Sequence, residues 1–403
     1  MTKRYPSFDI IRGTGILIVV LLHAALYQYG ELLSIDFENP PLIITIIGFL
    51  LMWAGLFAML SAAAYGATAL SRYENDHRTR RSILADYLKA GVVLLVLSYI
   101  YFILLGPGLL DLEHGEHDFS IIFGVLRHGE LRGPSSKRLF YNTSLSMLAH
   151  NMLILAPVVY LVVALRPKTR RIILIASAAA VFALSYIRIP IFSRGAEIKE
   201  KGNWILYFCW AIFFNKNDPI LPYLGFGLLG TCLGFDIHSE ESRKKTSILY
   251  IAIGAIWTIA GIVGFLSLPD TMLERSIDEF WFAAILFQGG VFLLILLGSH
   301  LIFDHHRVFG KRGVLMIGSV SLTLFLLETP FTEVFAKLST ILIPGWNSSL
   351  PGTLLFALIM ALFWYGVTHL WKRAGFRFSA EWLIMQIYKL VKRESGKEWP
   401  LSS

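Results

Sequence analysis

Arg4–Leu26, RYPSFDIIRGTGILIVVLLHAAL, begins at a basic end and passes into an apolar run that reaches about Tyr27. No small-residue cleavage site follows it, so the segment is expected to stay in the chain as a first helix. About 20 mostly apolar residues are needed for a helix to cross hydrocarbon, and comparable runs recur along the chain. They lie at Leu42–Leu70, Leu84–Leu105, Ser144–Leu165, Arg171–Ile189, Pro219–Phe235, Ser247–Leu266, Phe280–Ile302, Val314–Phe335 and Leu350–Trp371. Composition points the same way. Of 403 residues, 55% are apolar and 16% charged, a mixture that suits lipid and not water. The predicted fold is all-α, a polytopic membrane bundle of about ten transmembrane helices. Trp204–Phe214 is apolar but too short to cross, so it is expected to be re-entrant or interfacial. A single transmembrane domain is expected over 1–372, followed by a basic cytoplasmic tail at 373–403. Within that tail Ser379–Lys392 spaces its apolar residues as an amphipathic helix lying on the membrane surface would.

Orientation follows from Lys and Arg, which concentrate in cytoplasmic loops. With the N-terminus inside, Lys3 and Arg4, Arg72–Arg81, Arg166–Arg171, Arg243–Lys245, Arg307–Arg312 and the tail all fall on the cytoplasmic side. The opposite loops are poorer in positive charge, and the alternation holds across ten helices. Nucleic acid is excluded as a partner despite a net charge of +8, because the cations form short clusters between apolar runs and no basic stripe. Cys209 and Cys232 stand in apolar settings, which implies no disulfide framework and no zinc site. Two external loops are long, about 106–143 and 190–218. The first carries His114, Glu116, His117, Asp118, His128 and Glu130, a set that fits either a solvated polar loop or an acceptor-binding one.

Ionisable groups inside an apolar run are costly and therefore candidates for function. The first helix has two, Arg12 near its cytoplasmic end and His23 eleven residues on. Eleven steps return to within roughly 20° of the same helix face, about 16 Å further along. A guanidinium grips phosphate and an imidazole moves protons, so this face suits a long ligand with an anionic head and a reactive tip. Acyl-coenzyme A has that shape. Taken singly, Arg12 also fits an interfacial arginine paired with Asp9, and His23 a buried interhelical bond. His150 and Glu328 are the next candidates, since a buried carboxylate fixes a histidine's tautomer. Arg72 and Arg78, in the basic loop, fit either CoA phosphates or simple positive-inside topology.

Asp9-Ile10-Ile11-Arg12-Gly13 with His23 at the end of an Arg-x10-His spacing resembles the first helix of the transmembrane acyltransferase superfamily. That superfamily includes acyltransferase-3, heparan-α-glucosaminide N-acetyltransferase-like and YeiB-like membrane proteins. Gly55–Arg72 is similar to its second helix. Pro219–Gly234, Gly318–Glu328 and the Glu381-Trp382 pair are similar to segments of its glucosaminide-acetyltransferase and YeiB branches. The chain departs from the pattern of the resembled proteins at Glu328, where they often carry His or Gln, and no appended soluble domain is expected.

The resemblance implies a multi-pass protein of a bacterial cytoplasmic (inner) membrane. It also implies transfer of an acyl group, acetyl first among them, from cytosolic acyl-CoA to an extracytoplasmic carbohydrate hydroxyl or amine. His23 would serve as base or acyl carrier, with no metal. A homo-oligomer is compatible with it. Two other classes stay open: a transporter or lipid-handling protein using Arg12 and His23 for binding or proton coupling, and an inactive homologue acting as a subunit of a membrane complex.

Overall fold

The structure is a computed structural model and describes residues 5–35, 40–111, 116–129, 131, 136–239, 243–271, 276–305 and 311–386. Its helices are, in order, α1 Pro6–Gln28, α2 Leu42–Leu51, α3 Ala54–Glu74, α4 Arg80–Leu104, α5 Ile121–His128, α6 Ser144–Val162, α7 Pro167–Ser185 and α8 Arg188–Phe192. There follow α9 Arg194–Glu200, α10 Trp204–Phe214, α11 Ile220–Ser239, α12 Arg243–Ser267, α13 Glu279–Phe303, α14 Lys311–Gly318, α15 Ser321–Leu342 and α16 Leu350–Trp371. One two-stranded ribbon, Leu109–Asp111 against Glu116–Asp118, lies in the first long loop. Among the described residues, eight helices are long and apolar enough to cross a membrane. Counting each of two bent pairs as one span gives ten, and these are the ten runs read from the sequence.

Helix ends form where local chemistry favours them. Thr79 accepts from the Ser82 amide, Asp278 from the Trp281 amide, and Ser349 from the Gly352 amide, each satisfying a first-turn donor. Thr143 and Ser146 complete a reciprocal capping box at α6. Contacts between ends support the up-and-down alternation. On one side His238 meets Tyr5 and Glu74, Asp304 meets Ser7, and Arg171 meets Asp236 and Thr246. On the other side Gln28 meets Asn347, and Ser144 meets Asp218.

In the most apolar 18-residue stretch of α11, 89% of residues are buried, against 17% in that of α12, so α11 is the hub and α12 lies at the periphery of the bundle. Gly230 and Gly234 let α11 press on α3, because a Cβ at either would overlap the carbonyl oxygens of Met59 and Ala63. Small residues four apart are the usual means of close helix approach in a bilayer. One apolar cluster joins α3, α6, α7, α11 and α13, and a second joins α1, α14, α15 and α16.

One expectation changes here. The tail from Ser379 does not simply lie on a leaflet: residues 380–386 are helical, and Glu381 bonds back to the start of α15. His114 and Glu130 lie outside the described residues, as do the side chains of Glu116, His117 and His128 and the tail beyond Gln386.

Candidate active site

A cavity of ≈ 3030 Å³ runs along α1, walled also by α3, α4, α6, α15 and the C-terminal segment. Typical small-molecule pockets hold about 300–1,000 Å³, so there is room for two substrates together. Arg12, Thr14, Gly15, Ile18, Val19, Leu22, His23 and Tyr27 all contribute from α1. The expected shared face is therefore real, and Arg12 and His23 open into one space.

At the Arg12 end, the Arg12 Nη1 donates to Asp9 at 3.1 Å. Arg72 and Arg78 share a single carboxylate, Asp86, at 3.1 and 2.7 Å. Arg12, Arg72, Arg78 and Lys89 thus line this end against Asp9, Asp86 and Glu381, the last of which is engaged in capping a helix. Among the described residues four cations face three carboxylates at this end, a positive surplus, and charge of that sign attracts an anion. Arg12 is 30% exposed at its side chain, which leaves donors available beyond its bond to Asp9.

Further along, His23 Nδ1 lies 2.8 Å from Glu328 Oε1. The same oxygen accepts from the Thr329 hydroxyl at 2.8 Å. Where the Glu328 carboxylate is the acceptor in this contact, the imidazole donates from Nδ1, the tautomer that leaves the Nε2 lone pair for chemistry. Glu328 is 1% exposed and His23 17%: the acid is sealed behind the histidine, and the histidine faces the cavity. Tyr27 packs on the His23 ring at 5.4 Å between centroids. Buried Tyr101 stands within electrostatic reach of Glu328, Thr329 and Tyr27.

The seat of α1 is set at its start and along its middle. Asp304, just past α13, accepts from the Ser7 amide at 2.8 Å, the Ser7 hydroxyl at 2.6 Å and His300 Nδ1 at 2.7 Å. Burial alone would raise the Asp304 carboxyl, yet these bonds outweigh it and hold its pKa below the ordinary value. In the middle, α1 crosses the bent pair α14 and α15, which turn by 79°. Gly13 and Gly318 meet there: a Cβ on Gly13 would overlap the Val314 carbonyl, and one on Gly318 the Asp9 carbonyl. The glycine that follows Arg12 is therefore what lets α1 carry the arginine past this elbow.

Of the residues singled out from sequence, the structure brings Arg12, Arg72, Arg78 and His23 to one cavity, with Glu328 directly behind His23. It does not bring His150. Asn151 takes the cavity-facing position on α6 and bonds the Tyr223 carbonyl at 3.0 Å. Its neighbour, about 100° around the helix, points elsewhere. Sequence reading missed Asp86 and Glu333, and noted Glu381 only as part of a resemblance and not as a site residue; Glu333 bonds Gln28 one turn beyond the His23–Glu328 pair. Glu333 was findable, since it sits in the same apolar run as Glu328 and meets the same criterion. Arg138 was missed too: it is fully buried, with its guanidinium on the carbonyls of Phe102, Pro107 and Asp118.

No curated protein matches the chain. A family model described as an acyltransferase domain, acyltransferase-3, matches residues 5–368, the whole bundle including every wall of the cavity except the C-terminal segment. A multi-pass helical protein with a buried histidine–carboxylate pair in a match of that extent belongs to the acyltransferase-3 family of membrane acyltransferases, and its activity is acyl transfer.

Proposed function

We propose that the acyl donor is acyl-CoA, taken from the cytosol at the Arg12 end, and that the acceptor is a carbohydrate hydroxyl or amine reached from the other side. The observation that carries this is one cavity with surplus positive charge at one end and a carboxylate-backed histidine further in. The lysine and arginine distribution favours a cytosolic Arg12 end, the side where CoA is found. Arg12, Arg72, Arg78 and Lys89 receive the nucleotide and diphosphate, and the pantetheine arm runs along Thr14, Ile18 and Leu22 toward His23.

His23 Nε2 takes the proton from the acceptor as its oxygen or nitrogen attacks the thioester carbonyl. The tetrahedral intermediate then expels the CoA sulfur, and the imidazolium returns its proton to that sulfur. Glu328 keeps the imidazole in the tautomer that exposes Nε2 and stabilises the imidazolium that forms. Acetyl is the acyl group to try first, and a bacterial inner membrane is the proposed setting.

The test is transfer of label from radioactive acetyl-CoA to extracytoplasmic glycan in membranes carrying the parent or His23→Ala. Label in the glycan fraction with the parent and its loss with the variant are expected. Equal labelling with both would overturn the role of His23, and acceptor labelling confined to protein or lipid would overturn the carbohydrate.

A further inference from the structure

The first turn of α15 lacks a cap of its own: Val320, at its N-cap position, makes no side-chain bond. Its free amides are instead met from far along the chain. Glu381 Oε1 accepts from the amides of Leu322 at 2.8 Å and Thr323 at 3.3 Å, and Oε2 accepts from the Thr323 hydroxyl. That hydroxyl in turn accepts from the Ala380 amide at 2.8 Å. A carboxylate on a helix N-terminus is favoured both by the unpaired amides and by the helix dipole. The C-terminal segment has its own cap, with the Ser379 hydroxyl accepting from the Trp382 amide at 3.1 Å.

The same face of this segment borders the cavity. Glu381, Ile384 and Met385 follow i, i+3, i+4 spacing, one face of a helix, and all three line the cavity together with Gln386. Ser321, Leu322 and Phe325 line it from α15. This is the Arg12 end, because the α14–α15 elbow is where Gly318 touches Asp9. The apolar spacing that reads in the sequence as a surface helix serves here as a wall.

We propose that Glu381 is a positioning residue for donor binding: it latches the C-terminal segment to α15 and so completes the cytosolic wall of the donor cavity. This rests on the acyl-CoA reading of that end. A segment released from α15 leaves the mouth wider and removes apolar contact from the pantetheine arm, so donor affinity falls while the His23–Glu328 pair stays in place.

Two readouts test it, both on the full chain. The first is acetyl-CoA turnover by the parent, Glu381→Ala, Glu381→Gln and Thr323→Val. Loss of the latch raises donor KM about tenfold, the scale of a lost charge-assisted bond, at nearly unchanged kcat. Glu381→Gln, which keeps one acceptor oxygen, recovers part of the effect, and Thr323→Val, cut from the partner side, reproduces it. The second needs no donor. In a Cys209→Ser background, Thr14→Cys on the cavity wall is labelled with a water-soluble maleimide, with and without Glu381→Ala. Labelling several times faster without Glu381 is expected. Unchanged KM, or a fall in kcat with KM fixed, overturns the positioning role, and equal labelling rates overturn the latch itself. If the parent binds no acetyl-CoA but labelling still accelerates in Glu381→Ala, the latch stands and the acyl-CoA reading falls.

Discussion

His23 and Glu328 are held 2.8 Å apart across 305 positions of sequence, the imidazole facing the cavity and the carboxylate sealed behind it. If the carboxylate sets tautomer and charge, Glu328→Gln leaves the histidine in place yet unable to expose a stabilised Nε2 base. Turnover is expected to fall about 10²–10⁴-fold, the range for loss of positioned acid–base catalysis. Acetyl-CoA binding, measured on the same purified variant, is expected to stay within about twofold of the parent.

Arg78 is the closer of the two arginines on Asp86, at 2.7 Å against 3.1 Å for Arg72. Arg78→Ala lets Asp86 neutralise Arg72 and removes the surplus charge at the mouth. Donor KM is expected to rise about tenfold at low salt and by less at 1 M, where the Debye length is about 3 Å. Asp86→Asn, which removes the carboxylate that both arginines share, is expected to leave KM unchanged or lower. Kinetics at two ionic strengths check both statements.

Gly13→Ala puts a methyl group against the backbone of the α14–α15 elbow, which cannot step aside as a side chain would. Overpacking of this kind costs about 1–3 kcal/mol. The thermal midpoint in detergent is expected to drop by several degrees. Turnover is expected to drop further, because the same shift displaces Arg12.

Asp304 gives a pH dependence whose sign can be worked out. Its folded pKa lies below the ordinary carboxylate value, so its contribution to stability is fully present above that ordinary value and is lost as pH falls through the folded one. Asp304→Asn removes the contribution at every pH. The gap in melting temperature between parent and variant is therefore expected to be constant from neutral pH down to about 4 and to close on further acidification. A gap that widened in acid would contradict the assignment.

The spans were legible because hydrocarbon imposes a length and polarity that a single sequence must satisfy locally. Phe280–Ile302 against Glu279–Phe303 and Leu350–Trp371 against itself differ by a residue at most. Arg12 and His23 were legible for the related reason that a 3.6-residue period converts spacing into a shared face. What was not legible lies in contacts between distant segments. The pairing of His23 with Glu328 belongs to the crossing of α1 and α15, and the binding of Glu381 to α15 belongs to a chain end folding back. The elbow at Gly318–Ser321 was read as part of one continuous span, Val314–Phe335, since a bend leaves hydropathy unchanged. His150 misled because an ionisable group in an apolar run gives no azimuth until its helix is placed.

The central claim is that a single cavity holds the donor's anionic end on Arg12 and its reactive end at His23, and equilibrium binding of radiolabelled acetyl-CoA to the purified protein tests it most directly. Saturable binding by the parent is expected, weakened about tenfold or more in Arg12→Ala and nearly unchanged in His23→Ala, which loses turnover alone. Absence of saturable binding by folded parent protein, or binding lost with His23 and kept without Arg12, would contradict it.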